Sequence, residues 1–155
     1  NGEYPIHRTN FKLVGTKLLG DMIKHAPESL MHADKEKGNL PLHNAILRGA
    51  SSNTIQWFLN YDQSKTEAAA RFKNKEGKLP LHLLCQRKPD YGDADKFISA
   101  VKAMVSAYPD AVSKEDQDGQ LPIDYARSNG RGEDVLALLF LENNNRSQAD
   151  DTIAT

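Results

Sequence analysis

The sequence predicts an all-α chain, a solenoid of about four helix-turn-helix repeats followed by a polar C-terminal tail. Two observations predict it. The first is a block that recurs: Gly2-Glu3-Tyr4-Pro5-Ile6-His7, Gly38-Asn39-Leu40-Pro41-Leu42-His43, Gly77-Lys78-Leu79-Pro80-Leu81-His82 and Gly119-Gln120-Leu121-Pro122-Ile123-Asp124. Its prolines stand 36, 39 and 42 residues apart (5 to 41, 41 to 80, 80 to 122), and self-similarity at such a period marks a repeat array. The second is the chemistry inside the block. Glycine closes a tight turn at φ > 0 without steric cost. The proline that follows has its φ preset for the first turn of a helix, where its missing N–H is not needed.

The elements follow in order. Repeat one runs from Gly2 to about Asp34, and its first helix is expected from Pro5 to about Lys12. Arg8, Thr9 and Asn10 fill places that are apolar in later copies, as in a terminal repeat with a wet outer face. A second helix follows Gly15-Thr16, with Leu18, Leu19, Met22 and Ile23 as its apolar stripe, and Pro27 ends it. In repeat two, Pro41 to Arg48 forms a short helix closed by Gly49. Ser51, Ser52 or Asn53 then caps the next, with Ile55, Phe58 and Leu59 facing inward and Trp57 either packed or a contact residue. The linker from Asn60 to Glu76 is long, and Thr66 to Ala70 could add a helical turn. Repeat three carries a second insertion, Arg87 to Asp95, before Phe97, Val101, Met104 and Val105 restore helical periodicity. Insertions map to loops, which are cheap to lengthen and often lie on the binding face. The last helix, from Glu133 through Leu141, starts acidic, which suits the positive end of its dipole. Beyond that it is apolar all round, so it is expected to dock on another subunit or to be covered by the tail. The boundaries are a repeat domain over 1–142, with repeats starting near 2, 38, 77 and 119, and a tail over 143–155.

The recurring block resembles the hallmark Thr-Pro-Leu-His of the ankyrin repeat, whose period is about 33 residues. The resemblance covers about residues 2–142. The hallmark threonine is replaced throughout, by Tyr4, Leu40, Leu79 and Leu121, so the capping hydroxyl is lost, typically worth about 1 kcal/mol per helix. These residues are expected to pack between neighbouring repeats, making a long, leucine-substituted variant. The resemblance implies that His43 and His82 tie neighbouring loops by hydrogen bonds, that Asp124 does the same as an acceptor, and that Cys85 is a core thiol. It also implies a partner-binding concave face built from the turn tips and first helices. By motif, that face holds Glu36, Lys37, Asn39, Leu47 and Arg48, then Lys75, Glu76, Lys78, Gln86 and Arg87, then Gln117, Asp118, Gln120, Ser128 and Asn129.

Composition narrows the function. A net charge of −1 provides no global field toward nucleic acid or membrane, and no apolar run reaches the roughly 20 residues of a membrane helix. One cysteine excludes an internal disulfide and points to a reducing, intracellular compartment and a soluble chain. The Asn145-Arg146-Ser147 glycosylation triplet is therefore read as chance. The chain opens inside a repeat without a starting Met, the mark of a fragment or processed form, so the organelle stays open. Catalysis has no foothold. His82 and Cys85, three residues apart, lack a second thiol, and the acid pairs Asp116/Asp118 and Glu133/Asp134 belong to loops and helix starts rather than to a desolvated cleft. No metal or cofactor is expected.

Charge is uneven along the array. Between 65 and 88 stand seven basic residues (Lys65, Arg71, Lys73, Lys75, Lys78, Arg87, Lys88) against Glu67 and Glu76. Between 110 and 124 stand five acids against Lys114. The leading expectation is a non-catalytic protein-binding module or scaffold subunit, whose partner carries an acidic patch and belongs to a larger complex. The alternative is a nucleic acid or other polyanion on the basic stretch 65–88, which would require a steep salt dependence and stacking aromatics that are scarce there.

Overall fold

A computed structural model describes residues 4–88 and 94–153, with side chains up to Asn144. Residues 89–93 of the second insertion, and the side chains of the Asn145–Ser147 triplet, lie outside it. Among the described residues the chain is helical, with no strand. Its helices are α1 (Thr16–His25), α2 (Pro41–Leu47), α3 (Ser52–Tyr61), α4 (Gln63–Ala70), α5 (Pro80–Gln86), α6 (Ala94–Ala107), α7 (Pro122–Ser128) and α8 (Glu133–Ile153). Short 3-10 turns cover Pro5–Arg8, Pro27–Met31 and Pro109–Ser113.

The proline of each recurring block opens a helix or 3-10 turn at its first position. Helices α2, α5 and α7 lie side by side in one row, and α3, α6 and α8 in a second row against them. The core runs between the rows: Ile46, Ile55, Leu81, Leu84, Met104 and Leu139 are fully buried. Leu40 and Leu79 stand at the N-caps of α2 and α5 without a side-chain cap, and each is buried, adding apolar area worth roughly 1.5–3 kcal/mol per side chain.

Four expectations are revised. The opening helix does not reach Lys12: it is a single 3-10 turn, Pro5–Arg8. Thr9 is buried rather than wet, and its hydroxyl donates to Pro5 O at 3.1 Å, which competes with helix continuation. The addition after α3 is the full helix α4 and not one turn, capped by the Asp62 carboxylate accepting from Ser64 N at 3.1 Å. The stretch after Leu141, expected as a tail without structure of its own, is helical and continues α8 through Ile153. Trp57 takes its packed role: half-buried, it meets Phe58 edge-on, leans on Tyr61 and faces the bare Cα of Gly20.

Candidate functional site

The turns between repeats are built on one pattern. Asn74 N donates to Lys78 O at 3.1 Å and Gly77 N to Asn74 O at 2.9 Å. Asp116 N donates likewise to Gln120 O at 3.1 Å and Gly119 N to Asp116 O at 3.2 Å. A side-chain oxygen braces each turn from inside. Asn74 Oδ1 accepts from Glu76 N and Lys78 N, and Asp116 Oδ1 accepts from Asp118 N and Gln120 N. Asp34 does the same for Lys37 N at 2.8 Å. Burial pushes the Asp116 carboxyl up, but bonds from the Tyr125 hydroxyl and these amides outweigh it and hold it below the usual range. Sequence reasoning missed Asp34, Asn74 and Asp116. The available signal was an Asx residue three or four positions before each turn glycine.

The turns then join to one another. Lys75 N donates to Lys37 O at 2.9 Å, and Gln117 N donates to Glu76 O at 3.2 Å. An amide relay adds to the first junction: Asn74 Nδ2 donates to Asn39 Oδ1, Asn39 Nδ2 to Asn44 Oδ1, and Asn44 Nδ2 to Asp34 Oδ2.

The histidines of the recurring block sit beneath these junctions. His82 Nδ1 accepts from Leu79 N at 3.1 Å, which leaves Nε2 protonated to donate to Gln120 O at 3.2 Å. His7 works in the same way between Tyr4 N and His32 O. His43 Nε2 reaches Phe72 O at 3.1 Å, while its buried Nδ1 has no hydrogen-bond partner among the described residues. Asp124 keeps the local half of this pattern. Its carboxylate accepts from Leu121 N of its own helix at 2.9 Å. Replacing His82 with alanine strands a buried amide and a carbonyl, and should cost about 2 kcal/mol in urea unfolding. A variant as stable as the parent would remove His82 from the scaffold. Cys85 lies on the same helix, wholly enclosed, and burial pushes its thiol up to about 12.

Of the fifteen residues expected on the partner face, Glu36, Lys37, Lys75, Glu76, Gln117, Asp118 and Gln120 lie exposed at or beside the turn tips. Leu47, Arg48, Gln86 and Ser128 lie exposed at the far ends of α2, α5 and α7, with Arg87 and Asn129 half-buried beside them. Asn39 and Lys78 are buried. Asn39 belongs to the amide relay. Lys78 Nζ bonds Glu76 Oε2 at 3.0 Å and stands 5.2 Å from the centre of the Tyr125 ring. Burial alone would lower its amine, but Glu76 and Tyr125 outweigh it and raise it. Lys35, which sequence reasoning passed over, joins the exposed tip.

The basic stretch is largely engaged within the chain. Lys65 pairs with Asp62 and Arg71 with Glu67. Lys73 Nζ donates to Glu115 O, Lys75 Nζ to Lys35 O and Glu36 O, and Arg87 Nη1 to Ala50 O. No helix among the described residues is long and apolar enough to cross a membrane. No family model and no curated protein matches the chain.

Proposed function

We propose that the chain is an ankyrin-type repeat module, without catalytic activity, that binds another protein along its turn tips and the exposed ends of α2, α5 and α7. The observation that carries this reading is the joining of successive turns, Lys75 N to Lys37 O and Gln117 N to Glu76 O. Side chains on joined turns form one prearranged row, and prearrangement lowers the entropic cost of binding. Lys35, Lys37 and Lys75 sit together at the first junction, which favours a partner with an acidic patch. Exposed Phe140 and Leu141 on α8 supply an apolar contact for membership in a larger complex. A polyanion on stretch 65–88 is less well supported, because Lys65, Arg71 and Lys78 there already hold carboxylates.

Photo-crosslinkers placed singly at Lys37, Gln86 and Asp118 of the intact chain should capture the same protein, and one at exposed Lys24 on α1 should not. Lys35→Glu with Lys75→Glu should slow association with that protein about tenfold at low salt. Equal capture from Lys24, or an unchanged on-rate and salt slope, would move the interface elsewhere.

A further inference from the structure

In the row of α3, α6 and α8, helix α8 stands at one end and α1, beside α3, at the other. Successive residues of an α-helix stand about 100° apart, so residues two apart point to opposite flanks. On α1, Leu19 and Ile23 face the core, and Gly20 faces α3, where an added Cβ would stand 3.6 Å from the Trp57 ring. Leu18, two residues before Gly20, therefore points away from α3. It is 51% exposed, with half-buried Met22 one turn on. On α8, Val135 and Leu139 face the core, and Leu138 lines a groove with Ile98, Ser99 and Lys102 of α6. Phe140, two residues after Leu138, therefore points away from α6. It is 55% exposed, with half-buried Leu136 one turn before. Each end of the row thus carries an apolar pair, four residues apart, turned outward.

We propose that these two faces join head to tail, α1 of one copy of the chain seated on α8 of the next. Inside the row, a helix packs one flank on the helix before it and the other on the helix after. The two end flanks are the unused halves of that repeated contact. Charge selects the pairing. From Glu133 to Asn144, α8 carries three carboxylates (Glu133, Asp134 and Glu142) and no cation, whereas α1 carries Lys17 and Lys24 against Asp21. Two α8 faces laid together would set like charges against each other. With α1 parallel to α8, exposed Lys17 stands beside exposed Glu133 at the two helix starts. A contact between unlike faces leaves one of each free, so it continues from copy to copy. This pairing rests on the reading of α8 as an assembly contact and names its partner; the turn tips stay open along every copy.

Sedimentation of the full chain should show a mean mass that climbs with concentration, with a dissociation constant below about 1 mM. Leu18→Glu and Phe140→Glu each change an exposed side chain, so both variants should melt like the parent. Alone, each should self-associate at least about tenfold more weakly. Mixed in equal amounts, they should form a complex of one copy of each and grow no further, because the intact α8 of the first meets the intact α1 of the second. A parent that stays monomeric up to about 1 mM would overturn the proposal. So would a mixture that stays monomeric, or a Leu18→Glu variant that associates like the parent, the mark of α8 pairing with α8 or with another face. Neither variant touches the turn tips, so photo-capture from Lys37 and Asp118 in the same variants tells failure of this contact from failure of the protein-binding face.

Discussion

Taking the protein from about pH 7 to about pH 4 should cost about 3 kcal/mol of folding stability, chiefly through His43. This imidazole is fully enclosed, and burial pulls it from the usual 6.5 down to about 4. Its bonds to backbone and the nearby Asp34 carboxylate pull the other way and lose. In the unfolded chain the same group charges below about 6.5. Between those values the unfolded state holds a proton that the folded state refuses, so stability is complete above pH 6.5 and drains away toward pH 4. His82 is shifted down as well, by burial first, and adds in the same direction. Urea midpoints at several pH values will measure the loss, and His43→Gln should flatten most of it. Stability unchanged between pH 6.5 and pH 4.5 would mean that His43 reaches water or a counter-charge in the folded chain.

Gly77→Ala should cost about 3 kcal/mol, and Gly119→Ala only about 1 kcal/mol. Both glycines hold φ near +70° (+73° and +72°), a region that charges any side chain roughly 1–2 kcal/mol. They differ in what a methyl would meet. At Gly77 it would stand 2.8 Å from Gln117 N, the amide that joins the third turn to the second, whereas at Gly119 nothing lies within 4 Å. The difference between the two variants therefore reads out the worth of one turn-to-turn junction. Equal losses would show that the turns touch without supporting one another.

The helix starts were legible because proline and glycine act through their own backbones: Pro41, Pro80 and Pro122 each begin a helix in the observed structure. The stripe Ile55, Phe58 and Leu59 was legible for a similar reason, since helical periodicity fixes which residues share a face. What eluded the sequence depends on partners distant along the chain. Thr9 looked wet because nothing local shows that its hydroxyl would close on Pro5 O. Lys78 read as a surface cation, yet Glu76 and the Tyr125 ring, 47 residues further on, make burial tolerable. The long α8 was missed because Asn143 to Asn145 are weak helix formers, so a tail was the natural reading of a segment that continues the helix before it.

The joined turns also set a length scale. Packed helices stand about 8–10 Å apart, so the tips above α2, α5 and α7 repeat at about that interval, locked by backbone bonds rather than by mobile side chains. A peptide in the polyproline II conformation advances about 3.1 Å per residue with three residues per turn. Laid along the row, it brings one side chain in three opposite a tip and turns the two between them away. The array is in that sense a ruler graduated in tripeptides.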